Sequence, residues 1–135
     1  MNLFVYGTLL VPKIWNIVSD FPSPESEEAQ LPGYSIYRVE DGDFPGVIET
    51  PDSTEPVRGR VMLNISPDAM QRLDDYEGSF YVRNLVEVTT EKGDKVEAYV
   101  YAIPQELAYI LSDEHWTLDW FEKEALDRYW EGHWG

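Results

Sequence analysis

The 135-residue sequence has no cysteine. That absence excludes a disulfide scaffold, thiolate metal sites and thiol nucleophiles, and it agrees with a reducing compartment. Histidine is nearly missing as well. His115 and His133 are the two, 18 positions apart. A helix that presents two histidines to zinc spaces them at i and i+4, so no metal is expected. Basic residues are scarce, ten against 26 acidic ones, for a formal charge of −16. Such a field repels phosphate backbones and anionic headgroups alike, so neither nucleic acid nor membrane is expected as a partner. No run approaches the roughly 18 to 20 apolar residues of a membrane-spanning helix. The opening Met1-Asn2-Leu3-Phe4 lacks the basic flank of a secretion signal and reads as a first strand, which points to a cytoplasmic location. Glycine-rich phosphate cradles and the Gly-x-Ser-x-Gly elbow are also absent, so no cofactor is expected and a serine triad drops out.

What the chain does have is apolar material: 43% hydrophobic and 14% aromatic residues, enough for one domain over residues 1–135 with a real core. Residues 2–6 form a short apolar strand. Pro12, with Val11, Ile14, Trp15 and Val18 at helical spacing, predicts a helix to about Asp20. The stretch FPSPESEEAQ, residues 21–30, is proline-rich and acidic and reads as a surface loop. Two strands are expected in LPGYSIYRVE and FPGVIET, around the turn DGD. Val57, Gly59, Val61, Leu63 and Ile65 alternate as one face of a further strand. Ser66-Pro67 opens a helix by capping free amides, Met70, Leu73 and Tyr76 form its apolar side, and Gly78 stops it as a left-handed residue. FYVRNLVEVTT and VEAYVYAI make a hairpin around EKGDK, with Val96, Ala98, Val100 and Ala102 on one face. Pro104 opens a short helix. Leu118, Phe121, Ala125 and Tyr129 then stripe a C-terminal helix whose tryptophans anchor it against the sheet. The expected fold is α+β: a small, mostly antiparallel β-barrel or strongly curved sheet with flanking helices.

Carboxylates are the chemistry that remains. Glu77 falls at the end of the helix that Ser66 opens, beside Asp74 and Asp75. A helix C-terminus carries partial negative charge, and neighbouring carboxylates raise proton affinity further. A glutamate so placed, and shielded by Tyr76, Phe80 and Tyr81, is a candidate general base near neutral pH; a solvated acidic helix end is the plain alternative. Gly7, which interrupts FVYGTLL, marks a turn where backbone can be approached closely.

VYGTL at 5–9, FPGV at 44–47, LDDYEG at 73–78 followed by FYVR at 80–83, and AYVY at 98–101 occur in this order. Together they resemble the gamma-glutamylcyclotransferase-like superfamily, near its AIG2-like and gamma-glutamylamine cyclotransferase branches. The likeness runs to about Ile103 and leaves out the C-terminal helix. It implies a cofactor-free enzyme that closes a gamma-glutamyl group to 5-oxoproline and releases an amine or amino acid, from a small molecule or from a larger carrier. It also implies Glu77 as the proton-accepting residue and Tyr6, Gly7, Thr8 and Leu9 as the substrate-binding loop. Tyr81, Arg83 and Tyr101 are further pocket candidates, although Arg83 serves equally as a structural partner of the helix-end acids. A non-catalytic module that binds small carboxylates or amides in the same cavity is the alternative. A monomer or homodimer is expected.

Overall fold

The computed structural model describes residues 1–22 and 24–135. Seven strands are present among them: β1 Leu3–Val5, β2 Ser26–Leu31, β3 Tyr34–Arg38, β4 Pro45–Glu49, β5 Val57–Met62, β6 Val82–Thr90 and β7 Lys95–Ala102. Pairing runs β1-β5-β2-β6-β7, and a β1–β7 contact at Leu3 and Tyr99 closes the ring. The closing contact is parallel, whereas every other pairing within the ring is antiparallel. β4 then adds to β7 in parallel and β3 pairs antiparallel with β4. The result is a closed five-stranded barrel with a two-stranded extension, in a mixed α+β fold.

Two apolar clusters fill the molecule, and β1 explains how they meet. Phe4 and Tyr6 point into the barrel, packed with Val61, Val88, Ala98 and Val100. Leu3 and Val5 point outward and are covered by Ile14, Trp15, Met70 and Leu73 from two helices, α1 Pro12–Ser19 and α2 Pro67–Glu77. A strand sandwiched this way must be apolar at every position, which is why its period-2 signal is missing. A five-stranded barrel is also narrow. A Cβ on Gly59 would lie 2.1 Å from the carbonyl oxygen of Val5, so only glycine fits where β5 crosses β1.

Three expectations change. Residues 26–31 form β2 rather than loop, while Ser23 of the same stretch lies outside the described residues. Ala29 and Leu31 enter the barrel and Glu28 and Gln30 face outward, while Glu27, on the side of Ala29, is largely covered and lies 3.3 Å from Lys92, so the acidic residues are spread over both faces of a strand. The β5 alternation breaks after Leu63, which still packs on the barrel cluster with Val57 and Val61. Asn64 adopts a positive φ of 55°, and Ile65 turns to the helical cluster instead of the barrel interior. Only some of the C-terminal tryptophans anchor on the sheet: Arg38 of β3 lies 4.9 Å over the Trp120 ring, whereas Trp130 and Trp134 pack on the helices. Trp134 stacks on Tyr76 of α2 at 6.1 Å, and Lys13 of α1 lies 4.4 Å over the Trp130 ring. This C-terminal helix is not uniform. It starts as α3, Leu118–Trp120, widens to a π-helix over Phe121–Ala125 and continues as α4, Leu126–His133. No helix among the described residues is long and apolar enough to cross a membrane.

Candidate active site

α2 is built to deliver its last residue. The Ser66 hydroxyl accepts from the Ala69 amide at 3.2 Å, Pro67 occupies the first turn, and Ala69, Met70 and Leu73 are buried against the barrel wall. Glu77 closes the helix, and Gly78 follows with φ of 84° and ψ of −168°. The positive φ agrees with expectation, but the ψ is extended rather than left-handed helical, so the chain leaves α2 abruptly toward Phe80 and Tyr81.

Glu77 lines a cavity of about 220 Å³. Tyr6, Gly7, Thr8 and Leu9 line it from the opposite end of the sequence, as do Tyr81 and Tyr101. Arg83 does not. Its Nε lies 3.7 Å from Asp74 Oδ1 and its guanidinium rests 4.8 Å over Tyr99, so it braces the helix end from outside the cavity. Asp74 also accepts from the Tyr101 hydroxyl at 2.7 Å, which ties α2 to β7.

The 6–9 turn is shaped by contact. A Cβ on Gly7 would come within 2.8 Å of Pro45 Cγ, so the bare main chain lies against the proline ring of the FPGV segment. Its φ of −123° is ordinary, and close approach is what requires glycine there. Thr8–Leu10 forms one turn of 3₁₀-helix in which Leu10 N–H donates to Gly7 O at 2.9 Å. The first amides of such a turn have no partner within it, and no hydrogen bond among the described residues engages the N–H groups of Thr8 or Leu9.

Electrostatics set Glu77 apart. Burial pushes its carboxyl up to about 8. Loss of water is the cause and not the charge of Asp74 or Asp75; Asp74 is itself engaged by Tyr101 and Arg83. No hydrogen bond or ion pair reaches the Glu77 carboxyl among the described residues, and the cavity wall holds no lysine or arginine. Tyrosines surround it. Tyr81 donates to Pro45 O at 2.6 Å and Tyr6 to Tyr101 O at 2.6 Å, and burial raises the pKa of both, so they stay neutral.

The C-terminal helix supplies wall residues that sequence reading missed. Tyr129 and His133 both line the cavity. The Tyr129 hydroxyl is hydrogen-bonded to Tyr76, whose own hydroxyl lies 2.8 Å from Thr8 Oγ1. A signal existed: Tyr129 ends the 118-121-125-129 stripe and His133 extends it by one more step of four. Nothing in the local pattern says that the stripe reaches a cavity.

The comparisons with known proteins follow the same lines. The model of a family described as gamma-glutamyl cyclotransferase, AIG2-like, matches residues 3–120. A curated relative, Protein AIG2 B of Arabidopsis thaliana, is 35% identical over 104 residues, covering 75% of this chain and 60% of its own length. The matched region thus spans about three fifths of that relative. Among solved structures, an Arabidopsis thaliana protein covers 97% of this chain and 86% of its own at TM-score 0.71 and 24% identity. A gamma-glutamyl cyclotransferase covers 76% of this chain and 65% of its own at TM-score 0.64 and 18% identity. At these identities the structural likeness speaks for the fold.

Proposed function

The chain belongs to the AIG2-like gamma-glutamyl cyclotransferase family, and from that premise we propose that it converts gamma-glutamyl compounds to 5-oxoproline and a free amine or amino acid, with Glu77 as general acid and base. One observation carries the reading: a glutamate with a strongly raised pKa shares a small cavity with an amide-rich turn 70 residues upstream in the chain.

The reaction needs little beyond positioning. A gamma-glutamyl compound carries its nucleophile, the α-amine, and its electrophile, the side-chain amide carbonyl, in one molecule. Bending it so that nitrogen meets carbonyl carbon replaces an encounter in solution by a preset geometry. Glu77, as carboxylate, takes a proton from the α-ammonium. The freed amine attacks the carbonyl carbon, a five-membered ring forms, and negative charge moves to the carbonyl oxygen. Glu77 then returns its proton to the departing nitrogen as the carbon–nitrogen bond breaks, and the ring nitrogen gives up its remaining extra proton, which leaves on the released amine as an ammonium, so protons balance without a cofactor. Main-chain N–H groups of Thr8 and Leu9 are fixed donors suited to the substrate's carboxylate or to the developing oxyanion.

A pKa of about 8 suits both halves of this cycle, since acid and base forms are each accessible near neutrality. An adjacent ammonium on the bound substrate would favour the carboxylate. The same pKa supports a second reading, because a mostly protonated Glu77 in the free protein is also a hydrogen-bond donor for a bound carboxylate or amide. Incubation with a panel of gamma-glutamyl amino acids and amines separates the two. Release of 5-oxoproline, lost in Glu77→Gln with the fold intact, is the expected result. A melting shift without product would favour the binding module, and turnover retained by Glu77→Gln would reject the assignment.

A further inference from the structure

The family match ends at residue 120, yet the wall of the cavity does not. Tyr129 enters it from α4, is buried at 9% exposure, and is held on several sides. His133 stacks on its ring at 4.1 Å, Phe121 meets it edge-on at 5.3 Å, and the His133 ring Nδ1 lies 2.8 Å from the Tyr129 carbonyl oxygen. One residue earlier, Arg128 grips Asp43 through two contacts of 2.8 and 2.6 Å. Asp43 directly precedes Phe44 and Pro45, which form part of the same cavity wall. The C-terminal helix is therefore fastened to the rim of the cavity, and its tyrosine is rigid within it.

The hydroxyls of Tyr129, Tyr76 and Thr8 form one chain. Three hydroxyls bring three protons and the chain has two internal hydrogen bonds, so one proton is left over to be given at one end. Turning every hydroxyl round moves that free donor between Thr8 and Tyr129 without moving any charge. Lysine and arginine are absent from this wall, and His133 is its one basic side chain, so hydroxyl and main-chain N–H donors take a large share in holding a carboxylate that enters the cavity.

Resting on the function proposed above, we infer that Tyr129 is a substrate-binding residue contributed by the C-terminal helix: its hydroxyl, coupled through Tyr76 to Thr8, helps hold the carboxylate of the glutamyl group. Tyr129→Phe keeps the ring and removes only the hydroxyl. In the variant, KM for a gamma-glutamyl substrate and the Kd of 5-oxoproline are expected to rise together, by about tenfold for a hydrogen bond to a charged group, with a smaller change in kcat. Tyr76→Phe is expected to act alike. The double variant should be little worse than either single one, since a chain cut once is already lost.

A residue that only supports the fold would lower the melting temperature and leave KM and 5-oxoproline binding unchanged, and that result overturns the inference. Additive losses in the double variant overturn it too, because they deny the coupling. Should Tyr129→Phe not fold, Thr8→Val cuts the chain at its other end and is read by the same two constants. An active wild type with unaltered variants rejects the role of Tyr129 alone. A wild type that neither turns over the panel nor binds 5-oxoproline rejects the function and this role with it.

Discussion

Glu77 is the residue whose chemistry differs most from its ordinary behaviour, and the difference has a thermodynamic signature. Below about 4.5 its carboxyl is protonated in folded and unfolded chains alike and has no effect. As pH rises from there toward about 8 the unfolded chain ionises while the folded one keeps its proton, so the folded state loses stability; above about 8 the loss is constant. Glu77→Gln removes that penalty, which is on the order of a few kcal/mol. Melting curves should therefore show the variant gaining on the wild type across this pH window, and a difference that is flat with pH would count against a raised pKa. Catalysis should move the other way: kcat/KM is expected to increase with pH as the base form accumulates on approach to about 8, as pH–rate profiles would reveal. Gly7 gives a second residue-scale test. A methyl group there meets Pro45 Cγ at 2.8 Å, so Gly7→Ala must displace the turn or the proline, at a cost of about 1–3 kcal/mol read by denaturant titration.

At the scale of elements, α2 and the 6–9 turn divide the work. α2 has a strong local identity: a serine cap, proline in its first turn and an apolar stripe. Removing the cap hydroxyl in Ser66→Ala should cost about 1 kcal/mol, measured by urea unfolding, because one buried amide loses its acceptor. Its Glu77 would keep its place, so activity at a temperature well below melting should be nearly unchanged; a large loss would mean that the cap also controls the position of the helix end. The C-terminal helix behaves differently. Its apolar stripe was readable in the residues, but its π-helical widening at Phe121–Ala125 was not, since the extra residue per turn answers to packing around Phe121. Phe121 is fully buried between Trp116 and Tyr129. Phe121→Ala should cost about 3–5 kcal/mol in denaturant titration and loosen Tyr129 with it.

For the whole molecule, charge is the governing property. A formal −16 surrounds a cavity whose wall has no lysine or arginine. Long-range attraction should favour gamma-glutamyl compounds with cationic leaving groups over those that carry an extra carboxylate. Raising salt from ~0.01 M to ~1 M shortens the screening length about tenfold, from about 30 Å to about 3 Å, and should narrow that preference in kcat/KM. A preference unaffected by salt would place the discrimination in contacts within the cavity. Outside it, Arg83 bracing Asp74 and Arg128 holding Asp43 are cations used for architecture, not for substrate.

Legibility from sequence followed the range of the forces involved. The β6–β7 hairpin, the bounds of α1 and the opening of α2 were readable because caps, prolines and alternation act within a few residues. β2 was masked, since it carries acidic residues that composition assigns to loops. By itself, the sequence determined an anionic chain without thiol chemistry, a glutamate at the end of a capped helix and a glycine at a sharp turn. Only the tertiary structure decided that these two meet in one cavity, that burial and not neighbouring charge raises the glutamate, and that Tyr129 joins them. Each of those three outcomes depends on which distant segments exclude water from the same small volume, and that is a property of barrel closure and helix packing that no local pattern encodes.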